Sequence, residues 1–213
     1  TNGVDLSRFK PQEKNKDLLD RYGLKNKIVI GYIGTHGLCH GLETIVFCAE
    51  KLRTASTDFC FLMLGDGACK PDLVKQAKSR NIGNIVFLDS VPKVQVSEYW
   101  SLLDISVIHL KKAELFQTVI PSKLFECMGM AIPIAHGVEG ESAEIVNEEE
   151  VGLCFEPENV DSLCSVIERL ASDEKLYLKF KENGPKAASN YDRSVLAQQM
   201  LAVIEKVVHT KPS

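Results

Sequence analysis

The sequence predicts an α/β fold, a Rossmann-like, doubly wound parallel sheet. Three observations carry this. Six short runs of β-branched and aromatic residues are apolar throughout, as strands covered on both faces are. Stretches with apolar residues three and four apart lie between them. Gly or Asp bounds most of the runs, which places turns at the strand ends.

Taken in order, residues 1–25 are polar and lysine-rich, with Pro11, and read as a lead-in segment outside the core. The Rossmann-like domain then spans 26–208. Its first strand is Lys27 to Ile33, ending at Gly34. Leu42, Ile45, Ala49 and Leu52 mark the buried stripe of the next helix. Phe59 to Leu64 is a strand ending in Gly65-Asp66-Gly67, and Ile85 to Leu88 is a strand after Gly83-Asn84. Trp100 sits beside Tyr99 and Leu102 on an apolar helix face and is expected in the core. Ile105 to Leu110, Ala131 to Ala135 and Gly152 to Phe155 complete the strands. Asn159 caps a helix striped by Leu163, Ile167 and Leu170. Leu196, Met200, Val203 and Val207 form the stripe of a last helix, and 209–213 read as a frayed end.

Composition excludes several classes. At 213 residues, 45% of them hydrophobic, the chain has ample material for one core, so disorder over most of its length is excluded. The net charge of -4 is spread without a basic stripe, which argues against nucleic-acid binding. No apolar run is long enough to span a membrane, and the first residues lack the apolar segment of a signal peptide. The first residue is Thr, so the chain reads as a processed or excised piece of something longer. Its seven cysteines are odd in number and lack C-x-x-C spacing. That pattern suits reduced, mostly buried thiols in a cytosolic protein rather than a zinc site.

In an open parallel sheet, chemistry collects just after the strands. The first such segment is Gly34-Thr35-His36-Gly37-Leu38-Cys39-His40-Gly41, before the helix at Leu42. Its glycines let backbone approach a ligand, and a helix N-terminus favours an anion. The alternative is a tight turn that binds nothing, since the spacing matches neither G-x-G-x-x-G nor a P-loop. The second is Gly65-Asp66-Gly67, which also reads as a plain turn with Asp66 capping backbone. The third is Ile120-Pro121-Ser122-Lys123-Leu124-Phe125-Glu126. Here Pro121 suits a first helical turn, and Ser122 can cap it or contact phosphate. Lys123 and Glu126 share a helix face, fit to neutralise a phosphate and to hold ribose hydroxyls, or merely to form a surface ion pair. His109, at a strand end, reads as structural, and His136, before Gly137-Val138-Glu139-Gly140-Glu141, marks either another anion-facing loop or a plain turn. No catalytic residue and no metal site can be assigned from spacing.

Together these segments resemble the C-terminal, donor-binding half of a GT-B-fold glycosyltransferase of the large retaining family four. Asn2-Gly3-Val4-Asp5 with Phe9 and Pro11 is similar to that family's stretch after the interdomain linker. Leu62 to Gly67, Asn84 to Leu88, Leu103 to Val107, and Gly129 to Ile134 with Gly137 are similar to its later motifs, in the family's order. Many members carry two glutamates separated by seven residues. Glu126 fits the second, ribose-binding one, and Thr118 stands where the first would be, with Glu114 as a substitute. Thr35 and His40 stand where many members have a phosphate-binding Arg and Lys. The Pro-Ser-Lys-Leu-Phe-Glu run resembles a subgroup that makes surface polysaccharides with sugars such as fucose and N-acetylfucosamine.

The resemblance implies a nucleoside-diphosphate sugar as donor, with no cofactor and no metal required. Gly34, Thr35, His36, Gly37, Ser122 and Lys123 would hold its phosphates, Glu126 its ribose, and Ile120 and Pro121 would face the sugar. The acceptor would be a glycan or lipid-linked chain, bound through an N-terminal domain that this sequence lacks. The fragment alone is expected to bind donor without transferring sugar. It would be cytoplasmic, with peripheral attachment at the inner membrane face through the missing half. A GT-B sugar-nucleotide 2-epimerase and a non-catalytic nucleotide-sugar-binding module are the alternatives.

Overall fold

The computed structural model describes residues 2–55 and 58–209. Six strands form one sheet: β1 Ile28–Ile33, β2 Phe59–Leu64, β3 Ile85–Leu88, β4 Ile105–His109, β5 Ile134–Gly137 and β6 Gly152–Cys154. The spatial order is β3-β2-β1-β4-β5-β6, and every pairing is parallel. This is the doubly wound order, with its reversal between β1 and β4.

Helices cover both faces. They are α1 Lys16–Arg21, α2 Glu43–Leu52, α3 Lys70–Ser79, α4 Val96–Trp100, α5 Lys123–Gly129, α6 Glu141–Glu148, α7 Val160–Ser172, α8 Glu174–Ala188 and α9 Arg193–His209. One face buries Ile45, Ala49 and Leu52 of α2, Leu73 of α3, and Leu163, Ile167 and Leu170 of α7. The other buries Trp100, Leu124, Phe125, Met128 and Val146. Asn159 caps α7 by accepting from the Ser162 N–H, as the sequence predicts. Trp100 is fully buried.

Four expectations are corrected. Residues 1–25 are not outside the core: Val4, Phe9, Leu18 and Leu24 are buried in it, and Asn15 caps α1 through the Leu18 N–H. Their polarity belongs to the outward face of a segment anchored at four apolar points. The fifth strand starts at Ile134, not Ala131, because Ala131 takes φ 57°, which ends α5 in a left-handed turn. The α5 helix begins at Lys123, so Pro121 precedes it rather than occupying its first turn. The stripe of α9 is real but uncovered: Met200 is 67% and Val203 61% exposed. Of the end read as frayed, 210–213 lie outside the described residues.

Candidate functional site

The site lies beyond β1 and β4, where the sheet reverses direction. The loop after β1 is fixed by its neighbour after β2. The Gly34 N–H donates to the Leu64 carbonyl at 2.9 Å, the His36 N–H to the Asp66 carbonyl at 2.8 Å, and the Cys69 N–H to the His36 carbonyl at 2.9 Å. Two glycines allow that contact. Gly65, at φ +144°, lies against the Gly34 carbonyl so closely that a Cβ would overlap it. At Gly67, φ +153°, a Cβ would sit 2.5 Å from the His36 carbonyl oxygen. Asp66 does cap its own turn, accepting from the Gly67 N–H at 2.8 Å. That turn is also the brace of the β1 loop.

The bracing decides which groups can meet a ligand. The amides of Gly34 and His36 are already committed, whereas those of Thr35 and Gly37 donate to no acceptor among the described residues. A 3-10 turn, Leu38–His40, stands between Gly37 and α2. The Gly34–Gly37 loop is therefore not seated on the α2 N-terminus, as spacing alone suggested. Thr35 is exposed at the loop tip, and the Tyr32 hydroxyl donates to its carbonyl at 2.8 Å.

His36 is fully buried, and neither ring nitrogen has a hydrogen-bond partner. Its ring centroid lies 5.8 Å from that of Tyr32. Burial, helped by the nearby charges of Lys70 and Lys123, lowers its pKa to about 4, so the ring is neutral near pH 7. A neutral imidazole can donate from one nitrogen and accept at the other.

Lys123 comes from the other side of the reversal. Its Nζ lies 3.8 Å from the centroid of the Tyr32 ring and reaches Gly34, where a Cβ would stand 2.8 Å away. Among the described residues it has no salt bridge and no hydrogen bond. Burial lowers its pKa to about 8, with Cys127, Glu126 and Cys39 opposing the shift. An ammonium with only a π face for company is poised for an anion.

Glu126 is three residues on but forms no ion pair with Lys123, so the surface-pair reading is set aside. It lines a cavity of about 190 Å³ with Asp5, Arg8, Phe9, Lys93, Val96 and Arg193. Burial raises its carboxyl pKa, against the favourable charges of Lys123, Arg193 and Arg8. The buried Trp100 indole N–H also steadies the carboxylate, though short of full hydrogen-bond geometry. Arg8 is itself tied to the Lys93 carbonyl.

The remaining segment, 111–122, is mostly exposed. Glu114 begins a one-turn 3-10 helix, and Thr118 is exposed. The Ile120 carbonyl accepts from Asn2 Nδ2 at 2.8 Å, which ties this loop to the first residues. Ser122 is exposed and its hydroxyl does not cap α5. The structure thus brings Gly34, Thr35, His36, Gly37 and Lys123 together, with Glu126 in an adjoining cavity. It does not draw Glu114 or Thr118 into either.

Two further histidines, His109 and His136, are structural, the first as read from the sequence. His109 Nδ1 donates to the His40 carbonyl at 2.8 Å, and its Nε2 accepts from the Glu158 N–H at 2.9 Å. Those bonds fix its tautomer. His136 Nε2 is 2.9 Å from the Ser142 hydroxyl. Among the described residues no His, Cys, Asp and Glu group is placed to hold a metal ion.

Sequence reasoning missed Tyr32, Arg8 and Arg193. A lone tyrosine two residues before Gly34 was a usable signal. Nothing local could connect Arg8, Glu126 and Arg193, which are far apart in the chain.

Comparison with known proteins fits this geometry. The family model described as glycosyl transferases group 1 matches residues 15–187. The alpha-D-kanosaminyltransferase of Streptomyces kanamyceticus is 25% identical over 92% of this chain and 50% of its own length. A putative colanic acid biosynthesis glycosyl transferase of Escherichia coli is 29% identical over 67% of this chain and 35% of its own. Among solved structures, the C-terminal domain of a group 1 glycosyl transferase from Francisella tularensis aligns with TM-score 0.74 at 22% identity. That alignment covers 90% of this chain and all of the other. Anabaena HepE, solved with UDP and glucose, aligns with TM-score 0.81 at 16% identity, over 96% of this chain and 55% of its own. The chain spans about half the length, or less, of these two curated relatives. No helix among the described residues is long and apolar enough to cross a membrane.

Proposed function

Because the chain belongs to the group 1 glycosyl transferases, we propose that it is the donor-binding half of a retaining glycosyltransferase. Lys123 and the free amides of Thr35 and Gly37 hold the diphosphate of a nucleotide sugar. His36 adds a neutral donor from beneath the same loop. Glu126 accepts the ribose hydroxyls in the adjoining cavity. The leaving diphosphate develops charge as the sugar departs, and a prearranged cation with oriented N–H groups stabilises it without a bound metal. Ser122, Ile120 and Pro121, at the mouth of α5, border the sugar. The acceptor, a glycan or lipid-linked chain, binds across a second domain, and attachment at the inner membrane face belongs to that domain too.

One observation carries the reading: Lys123 is a half-buried ammonium without an anionic partner among the described residues, beside the Gly34 loop at the sheet's reversal point. A protein retains such a charge at a cost in stability unless a ligand compensates it. The names of the curated relatives support a transferase over the epimerase and the binding module.

The test is a thermal-shift panel of UDP, GDP, ADP and their sugars, with UDP first because HepE was solved with it. A ligand at a hundredfold over its Kd stabilises by about 2.7 kcal/mol. One nucleotide should raise the midpoint, and Glu126→Ala should lose the rise. No shift with any nucleotide would overturn the donor-site reading.

A further inference from the structure

A second chemically distinct place lies on the opposite side of the molecule from α5, between α2 and α7. Cys48 and Cys164 are both free thiols, 0% and 3% exposed. Their sulfurs are 2.9 Å apart. No other cysteine pair among the described residues is in contact. The two sit on helices that pack directly against each other, so joining them needs little backbone movement. Cys164, but not Cys48, lines a surface cleft of about 270 Å³ with Lys51, Leu52, Thr54, Ala55, Asp161, Ser165 and Glu168. Lys51 and Asp161 pair across its mouth, 2.5 Å apart.

We propose that Cys48 and Cys164 are a reversible oxidation site, in which a small peroxide entering this cleft converts the two thiols into a disulfide that pins α2 to α7. The asymmetry of the pair sets the order of events. The hydrogen bond between the two sulfurs, with the Lys51 charge, holds the Cys164 thiol below its ordinary pKa. Burial pushes the Cys48 thiol up. Cys164, which alone of the two lines the cleft, is the thiol a peroxide meets first and the attacking thiolate. It displaces hydroxide from hydrogen peroxide and becomes a sulfenic acid, and that hydroxide takes up the proton Cys164 released to become water. Cys48 then attacks the Cys164 sulfur, the S–O bond breaks, and a second water leaves carrying the Cys48 proton. Two thiols are oxidised and one peroxide is reduced to two waters. A dithiol reductant reverses the step by exchange.

The experiment treats the folded chain with hydrogen peroxide at neutral pH and reads intact mass, free thiols and a non-reducing peptide map. The expected product has lost the mass of two hydrogens, has two fewer thiols, and yields one peptide pair joined at 48 and 164. Its melting midpoint should rise by about 5–10 °C and return on treatment with dithiothreitol, because the bridge closes a loop of more than 100 residues. Cys164→Ser should abolish the product, and Cys48→Ser should stop it at a sulfenic acid that a dimedone probe captures. Should both variants fold poorly, the peptide map of the unaltered chain decides alone. Unchanged thiols, or a disulfide mapped to any other pair, would overturn the proposal.

Discussion

The two loops that meet at the sheet's reversal are built in opposite ways. The loop after β1 is braced: the Gly34 and His36 amides and the His36 carbonyl are tied to the end of β2 and the segment after it, and glycines press the two backbones together. The loop after β4, residues 111–122, is mostly exposed, with Leu115 76% exposed. The braced loop presents a fixed set of N–H groups, so an anion meets donors already oriented. The exposed loop is pinned at separate points instead, the Lys111 N–H to the Cys39 carbonyl at 2.9 Å, the Gln117 carbonyl to the Glu141 N–H at 3.0 Å and the Ile120 carbonyl to Asn2, with its side chains left mostly in solvent. Under the proposed donor reading, a braced phosphate loop stands beside a solvent-exposed segment at the sugar.

The brace can be broken at Gly65. Gly65→Ala puts a Cβ into the Gly34 carbonyl at a positive φ, and chemical denaturation should show a loss of roughly 3 kcal/mol. If stability were unchanged, the two loops would not be mutually fixed. Lys123→Met acts on the ligand instead. Losing a charge-assisted contact of roughly 1.5–3 kcal/mol should weaken diphosphate binding by about 10–100-fold in calorimetry. Unliganded stability should hold or rise, because an uncompensated half-buried charge is gone.

The same lysine gives a pH signature of two signs. Its folded pKa, about 8, lies below the ordinary 10.5. Above about pH 8 it sheds its proton in the folded chain, and nucleotide affinity should fall by up to about tenfold per pH unit. The unfolded chain still binds that proton up to pH 10.5. Between the two values the contribution of Lys123 to stability therefore rises with pH. Affinity that stayed flat from pH 7 to 9.5 would sink the phosphate role.

The histidines sharpen the comparison further. His109→Ala removes two hydrogen bonds that tie β4 to the loops at His40 and Glu158, and should cost about 2 kcal/mol of stability. His36→Asn removes none, and should lower nucleotide affinity more than stability. At the small end, Leu115→Ser on the exposed loop should change stability by less than about 0.5 kcal/mol.

Much of this was readable beforehand. The turns at Gly34 and Gly65, the α5 segment with Lys123 and Glu126, and the structural roles of His109 and Trp100 all follow from local pattern. The errors share a cause. Residues 1–25 look polar because four anchors, Val4, Phe9, Leu18 and Leu24, are spaced too irregularly to show a period. The α9 stripe has the right period, yet Met200 and Val203 remain exposed, because periodicity says which face is apolar and not what covers it. Lys123 and Glu126 look like a helix-surface pair until the fold turns one toward Tyr32 and the other toward Arg8 and Arg193.

What the sequence by itself determined is the set of elements, their order and the positions after strands where a ligand would sit. Those depend on periods of 2 and about 3.6 residues and on local turn chemistry, which a few neighbours settle. Tertiary structure alone decided which amides remain free, that Lys123 forms no ion pair and His36 no hydrogen bond from its ring among the described residues, and that Cys48 meets Cys164. Each of those depends on a second group distant in the chain, and on a burial that no local pattern encodes.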